Sequence, residues 1–168
     1  DAADQLLAKD PADPYFLELK GQVLLESGRP HEALDPLRRA TAMTNAEPLI
    51  ASLFGHALIA TEDDGNFEEA ERVLRAAVGR DRRNPFAWYQ LGVVYAARGD
   101  TARARLASAE QQVMNRQYGL ALRSAQAAEY GLEHGTPDWI RAQDIGMQAR
   151  ALLERQCEME RGRDCAPG

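Results

Sequence analysis

The sequence predicts an all-α fold in which helical hairpins stack into a right-handed α-α superhelix. Three residue types that share one spacing carry this expectation. Glycines recur at Gly21, Gly55 and Gly92, at intervals of 34 and then 37 residues. Prolines recur at Pro14, Pro48 and Pro85 with the same two intervals, each seven residues ahead of its glycine. Alanines follow at Ala33, Ala70 and Ala104 with the intervals reversed, 37 then 34. The three surplus residues therefore lie between Gly55 and Ala70, where the polar stretch Thr61-Glu62-Asp63-Asp64-Gly65 can absorb them as a loop. No segment alternates apolar and polar residues over the length of a strand, so no sheet is expected.

Each repeated position has a physical role. The prolines follow Asp13, Glu47 and Asn84. Proline at the first helical position gives up no needed hydrogen bond, and an Asp or Asn before it can cap the free N–H groups. A glycine inside a helix costs about 1 kcal/mol relative to alanine, a cost offset where two helices must approach closely. Gly28, Gly65 and Gly99 are placed to end the first helix of each pair in a left-handed conformation. The small residues Ala33, Ala40, Ala70, Ala77 and Ala104 suit crowded helix contacts. These signals predict helices near 14–27, 30–43, 48–61, 66–79, 85–98, 101–115, 118–133 and 137–157. Asp1 to Ala8 reads as the end of a helix from an earlier repeat, closed by Asp10-Pro11.

Beyond residue 100 the pattern bends. Ala104 fits a second helix of the third pair, but Ser108 and Gln111 stand where larger apolar residues or alanine are usual. The same segment carries a second stripe, Leu106, Ala109 and Val113, suited to a following helix with Tyr118, Ala121, Leu122, Ala125, Ala128 and Leu132. One helix shared between two pairs is the expectation. The last helix has Trp139, Ala142, Ala149 and Leu153 on one face and Arg141, Asp144, Gln148 and Arg155 on another, the form of a terminal cap. The domain reading is one repeat domain over 1–157, with repeats near 14–47, 48–84, 85–115 and 101–134, a capping helix at 137–157 and a flexible tail at 158–168.

Residues 88 to 95, Trp-Tyr-Gln-Leu-Gly-Val-Val-Tyr, match the W-x-x-L-G-x-x-Y opening of a 34-residue tetratricopeptide repeat. The chain thus resembles that family, which implies a superhelix of tetratricopeptide repeats whose concave surface holds another polypeptide. In such repeats the first helices line the inner surface through positions 2, 5, 9 and 12. With each proline as position 1, these are Tyr15, Glu18, Gln22 and Leu25, then Leu49, Ser52, His56 and Ile59, then Phe86, Tyr89, Val93 and Ala96. Several are apolar where core packing does not claim them, the mark of a contact surface. Trp88, Leu91 and Tyr95 are core positions of the signature. Family members that grip acidic chaperone tails use cationic clamp residues. Here the matching places hold Glu18, Gln22, Leu53, Phe86 and Gln90, so a free dicarboxylate tail would lack its counter-charges.

Composition narrows the function classes. The chain has 168 residues and a formal charge of -6 from 20 Lys and Arg against 26 Asp and Glu. Arg80, Arg82 and Arg83 form the one dense basic group, interrupted by Asp81, and nucleic-acid binding needs a continuous basic stripe. No apolar run approaches the ~20 residues of a membrane span. The chain starts at Asp1 without an initiator Met, and a piece of a longer protein is expected. Neither H-E-x-x-H, G-x-S-x-G nor G-x-x-x-x-G-K-[ST] occurs, and His31, His56 and His134 are dispersed, so no catalytic site and no metal or other cofactor is expected. Glu68, Glu69 and Glu71 fit the positive start of a helix. A straight helix through Cys157 and Cys165 would hold them ~12 Å apart, too far to bond. A turn at Gly162 would permit a disulfide, and with it an oxidising compartment.

A narrower resemblance rests on Pro14-Tyr15-Phe16-Leu17-Glu18-Leu19-Lys20-Gly21-Gln22, on Leu25-Glu26-Ser27-Gly28-Arg29-Pro30 with Glu32-Ala33-Leu34, and on Gly135-Thr136-Pro137-Asp138-Trp139-Ile140-Arg141-Ala142-Gln143-Asp144-Ile145. Leu106-Ala107-Ser108-Ala109-Glu110 fits the same subset. These strings resemble the C-terminal repeat domain of periplasmic zinc metalloproteases of the β-barrel assembly-enhancing type. The resemblance implies a non-catalytic domain that recruits outer-membrane proteins, their assembly machinery or its own protease domain. Zinc would belong to the catalytic domain, which is not in this sequence, and the periplasm would allow a Cys157–Cys165 bond. The alternative is a free-standing scaffold or adaptor, cytoplasmic or in the envelope, with an unrelated partner.

Overall fold

The computed structural model describes residues 13–161. The segment Asp1 to Ala8, read above as the end of an earlier helix, lies outside the described residues. Eight α-helices follow in order: α1 Pro14–Glu26, α2 Pro30–Met43, α3 Pro48–Ala60, α4 Phe67–Arg80, α5 Pro85–Ala97, α6 Thr101–Met114, α7 Tyr118–Gly131 and α8 Pro137–Arg161. A short 3-10 turn, Asp64–Asn66, precedes α4. No strand occurs among the described residues, so the fold is all-α as the periodicity predicts. Every helix end except the last falls within two residues of its sequence-derived place. The chain divides into two compact units, residues 1–94 and 95–168.

In the first unit the residue before each proline closes the helix start. Asp13 Oδ1 accepts from the N–H groups of Tyr15 at 2.8 Å and Phe16 at 3.3 Å. Asn84 Oδ1 accepts from Ala87 N at 2.9 Å. Glu47, one methylene longer, does the same work, with Oε2 accepting from Leu49 N and Ile50 N at 3.0 Å each. The helix-interior glycines are explained by their neighbours. A Cβ built on Gly55 would stand 2.5 Å from Leu74 Cγ and 2.6 Å from its Cδ2, and Gly21 meets Leu37 in the same way. Both leucines are fully buried, so each hairpin closes by seating a second-helix leucine in the notch of a first-helix glycine. Leu17, Ala40 and Ile50 link one hairpin to the next, and Phe54, Leu58, Leu91 and Val94 are also fully buried.

The turn after the first helix departs from expectation in the second repeat. Gly28 and Gly99 adopt φ of 72° and 80°, and each donates to the carbonyl three residues back. The equivalent residue is Glu62, at φ 54°, whose N–H donates to Ile59 O at 3.1 Å. Gly65 is not the left-handed residue; it lies within the 3-10 turn, its N–H bonded to Asp63 Oδ1 at 2.9 Å. The seven-residue interval from the packed glycine to the turn is kept (Gly21 to Gly28, Gly55 to Glu62, Gly92 to Gly99). The three extra residues enter only after it, as the 3-10 turn.

In the second unit α7 packs against both α6 and α8. Leu106 and Ala109 of α6, Ala125 and Ala128 of α7, and Ala142 and Ile145 of α8 form its core, with Val113 and Leu132 against it. The stripe expected on α6 is thus the one that meets α7. On α8, Ala142 and Ala149 are buried, but Leu153 is 37% exposed. The sequence assigns Arg141 to the wet face; instead it turns inward to the buried Glu110. The helix runs to Arg161, so residues 158–161 are helical and not tail. Cys157 is disulfide-bonded, whereas Cys165 and the turn at Gly162 lie outside the described residues.

Candidate functional site

The first helices α1, α3 and α5 carry the candidate contact positions, and the first unit contains all of them through Val93. Helices α1 and α3 touch. Between α3 and α5, Gln90 Nε2 lies 2.7 Å from His56 Nδ1, and the His56 ring packs at 5.6 Å against Phe86. Asn84 Nδ2 donates to Ser52 Oγ at 3.1 Å. The three helices are therefore neighbours at their candidate positions.

Exposure divides the twelve positions. Tyr15 is 63% exposed, Leu49 67%, Tyr89 55% and Phe86 44%. Gln22 and Ala96 are exposed, Ala96 falling in the second unit. Glu18, Leu25, His56, Ile59 and Val93 are half-buried. Ser52 corrects the sequence reading: at 1% exposure it offers nothing to a ligand. Its hydroxyl donates to Pro48 O at 2.5 Å and accepts from Asn84, so it belongs to the seam between α3 and α5.

Two participants escaped the positional count. Leu19 is 38% exposed and follows Tyr15 by four residues, so it extends the same apolar edge. The Tyr15-x-x-x-Leu19 spacing was the available signal. Glu47, marked in the sequence only as the residue ahead of Pro48, is the charge that acts on Glu18. Burial pushes the Glu18 carboxyl above its ordinary value, and the Glu47 charge pushes it the same way. Among the described residues no ion pair neutralises either carboxylate. Neither α3 nor α5 carries a Lys, Arg, Asp or Glu along its length.

The signature residues behave as core. Leu91 is 2% and Tyr95 7% exposed, and Trp88 is half-buried with its Nε1 donating to Arg82 O at 3.0 Å. A separate open cleft of about 450 Å³ lies along α2 and α4, lined by Arg38, Thr41, Asn45, Phe54, Glu69 and Arg72 among others. Both of its cations are engaged: Arg38 holds Glu69 with two bonds, at 2.8 and 3.2 Å, and sits 5.3 Å from the Phe54 ring centre, and Arg72 reaches the same carboxylate at 3.3 Å. Among the described residues no group of three or more His, Cys, Asp or Glu is gathered so as to hold a metal ion. No described helix is long and apolar enough to cross a membrane.

Comparison with known proteins fits this geometry. No curated protein matches the sequence. Among solved structures, a crystal structure of MamA is similar at 19% identity and a TM-score of 0.64, over 94% of this chain and 88% of that one. A second MamA structure is similar at 16% identity and a TM-score of 0.64, over 99% and 86%. At such identities the likeness speaks for the fold. The sequence model of the tetratricopeptide repeat matches residues 1–48 and 60–119, most of the chain. The gap between the two matched segments holds most of α3, whose turn carries Glu62 in place of glycine just past the gap's end. With paired helices, glycine–leucine notches and the repeat signature in place, the chain belongs to the tetratricopeptide repeat family.

Proposed function

We propose that this chain is the partner-recruiting repeat domain of a periplasmic zinc metalloprotease that acts in outer-membrane protein quality control. The coarser part follows from the family: stacked tetratricopeptide hairpins form a protein-interaction module and are not a catalyst. The observation that carries the reading is the row of exposed apolar side chains on first helices, Tyr15, Leu49, Phe86 and Tyr89, none of which the hairpin core requires. Such rows on folded proteins are contact surfaces. What supports the protease placement is the likeness of the 14–34 and 135–145 strings to that subset, together with the disulfide at Cys157, a bond suited to an oxidising compartment. Zinc belongs to the protease domain in this reading, and this chain contributes binding alone.

The test has two arms. Phe86→Ala with Tyr89→Ala is expected to weaken capture of an unfolded outer-membrane β-barrel protein at least tenfold with unchanged helicity, read by fluorescence anisotropy and circular dichroism. Loss of helicity in parallel would assign these side chains to the core and end the surface reading. For the placement, the gene's upstream sequence is expected to encode a helix with H-E-x-x-H. A different upstream domain would remove the protease and leave the interaction module standing.

A further inference from the structure

We propose that the cleft between the second helices α2 and α4 is a binding site of its own, for a partner segment that sets a carboxylate side chain beside an aliphatic one. The carboxylate is seated at Arg38 and Arg72, and the aliphatic side chain lies over Ala42, Val73 and Ala76. This site is separate from the first-helix row and needs nothing from it.

Two facing stripes build the cleft. Arg38, Thr41 and Ala42 share one face of α2, and Glu69, Arg72, Val73 and Ala76 share one face of α4. Ala42 and Ala76 are exposed, and their short side chains leave the middle open above Val73 and the Phe54 ring. The volume of about 450 Å³ is in the range of ligand clefts. One end is the turn of Asn45 and Ala46, at φ 53° and 56°, a conformation that residues other than glycine seldom hold. Arg80 pins that turn, its Nη1 donating to both carbonyls, with Ala46 O at 2.8 Å.

The lining is positive although the chain carries a formal charge of -6. Arg38 and Arg72 share a single carboxylate, Glu69. Arg38 meets it through Nε and Nη2, so its two Nη1 hydrogens are not spent there. The Arg72 side chain is 75% exposed and touches Glu69 through Nη2 alone. Arg80 adds a further positive charge at the pinned turn. The other carboxylates of these helices do not cancel the excess. Asp35 lies 4.0 Å from Arg39 and Glu71 lies 3.5 Å from Arg75. Glu32 is bonded to Arg29, and Glu68 stands about 100° around α4 from Glu69, outside the lining.

Thr41 supplies the second mark of a ligand. It is 9% exposed, and among the described residues its hydroxyl has no hydrogen-bond partner. Thr44 shows the ordinary alternative, donating to Ala40 O at 2.8 Å. A buried hydroxyl without a partner keeps its full desolvation cost. Threonine in a helix has two allowed χ1 positions, so hydroxyl and methyl can exchange places when an acceptor enters the cleft. A basic segment would face three arginines here. A purely apolar one would cover the guanidinium groups and return no hydrogen bond, an unfavourable exchange for charged groups. A carboxylate beside an aliphatic side chain answers both halves of the lining.

The experiment titrates the full chain into fluorescein-labelled amphipathic peptides of about 15 residues. Four share one spacing and carry Leu with Glu, Leu with Gln, Leu with Lys, or Ser with Glu. Anisotropy is read at about 50 and about 300 mM salt. The Leu/Glu peptide is expected to bind about tenfold tighter than Leu/Gln, with Leu/Lys and Ser/Glu weakest, an order that the net charge of the chain opposes. Arg72→Gln should remove most of the Glu preference, whereas Arg123→Gln, the same charge change at an exposed site on α7, should leave it. Glu69→Gln removes the competing carboxylate and should tighten the Leu/Glu peptide. Thr41→Val should weaken it severalfold, and Ala76→Trp, which fills the cleft from an exposed position, should abolish binding with helicity unchanged. Equal binding of the Glu and Gln peptides overturns the proposal. So does a Glu preference that survives Arg72→Gln, or full affinity in Ala76→Trp. Phe86→Ala with Tyr89→Ala should leave the Leu/Glu peptide bound as before; its loss there would move the peptide to the first-helix row and empty the cleft of its role.

Discussion

Arg141 of α8 holds Glu110 of α6 in a two-pronged ion pair, Nε to Oε1 at 2.6 Å and Nη2 to Oε2 at 2.8 Å. Glu110 is 6% exposed, whereas about a third of the Arg141 side chain remains in water. The bond to Glu110 raises the Arg141 pKa above its ordinary value against the opposing effect of burial. Removing the arginine strands a buried carboxylate. Arg141→Ala is therefore expected to lower stability by about 3 kcal/mol, the low end for a broken buried pair because Arg141 is partly wet. The double variant E110L/R141M, which removes both charges, should lose less. Urea denaturation at pH 7 checks this; a double variant worse than Arg141→Ala would show that the pair contributes net stability.

The notch at Gly55 gives a prediction of opposite intuition. Alanine is the better helix former by about 1 kcal/mol, yet a Cβ here collides with the buried Leu74. Gly55→Ala is expected to destabilise by about 1–3 kcal/mol, as overpacking does. Adding Leu74→Ala should cost less in the Gly55→Ala background than in the parent chain, because each change relieves the other. Additive losses in a thermal double-mutant cycle would mean that the leucine moves aside freely. Gly21 with Leu37 repeats the arrangement and serves as an internal replicate.

Most of the helical framework was legible because the repeat writes the same physics three times. Proline, glycine and alanine each mark a local necessity, and their shared interval located the three-residue insertion. What failed were positions where one residue does another's work. Glu62 holds a left-handed turn that glycine holds elsewhere, so the eye moves to Gly65. Ser52 occupies an inner-surface position by count but is claimed by Asn84, a side chain 32 residues away that no local pattern reveals. Arg141 falls on the polar stripe of its helix, and only the pairing of α6 with α8 turns it inward. Glu18 stands at an inner-surface position by count, but nothing in the sequence beyond the following Pro48 marks Glu47, whose charge acts on it.

Glu62 offers a stabilising change. A side chain at φ 54° costs roughly 1–2 kcal/mol relative to its preferred conformations, a cost that glycine escapes. Glycine in turn loses more backbone entropy on folding, so the net gain from Glu62→Gly is expected to be about 0.5–1 kcal/mol. A thermal midpoint raised by a few degrees would report it. An unchanged or lower midpoint would show that the Glu62 carboxylate makes a compensating contact in solution.

Glu18 and Glu69 should respond to pH with opposite signs. The folded-state pKa of Glu18 lies above the ordinary 4.5, chiefly through burial and then through Glu47. The folded state therefore binds more protons than the unfolded one above that value, and the charged carboxylate opposes folding at pH 7. Glu18→Gln is expected to raise the thermal midpoint at pH 7, with the gain shrinking as pH falls toward 4.5. Glu69 is held below 4.5, first by its hydrogen bonds from Arg38, against burial. Its stabilisation is present above 4.5 and is lost as pH falls through its lower folded value. Glu69→Gln should accordingly lower the midpoint at pH 7, and the loss should close only at more acidic pH. Midpoints measured from pH 7 down to about 4 check both signs. A Glu18→Gln variant less stable than the parent at pH 7 would mean that a cation already answers Glu18 in the free chain.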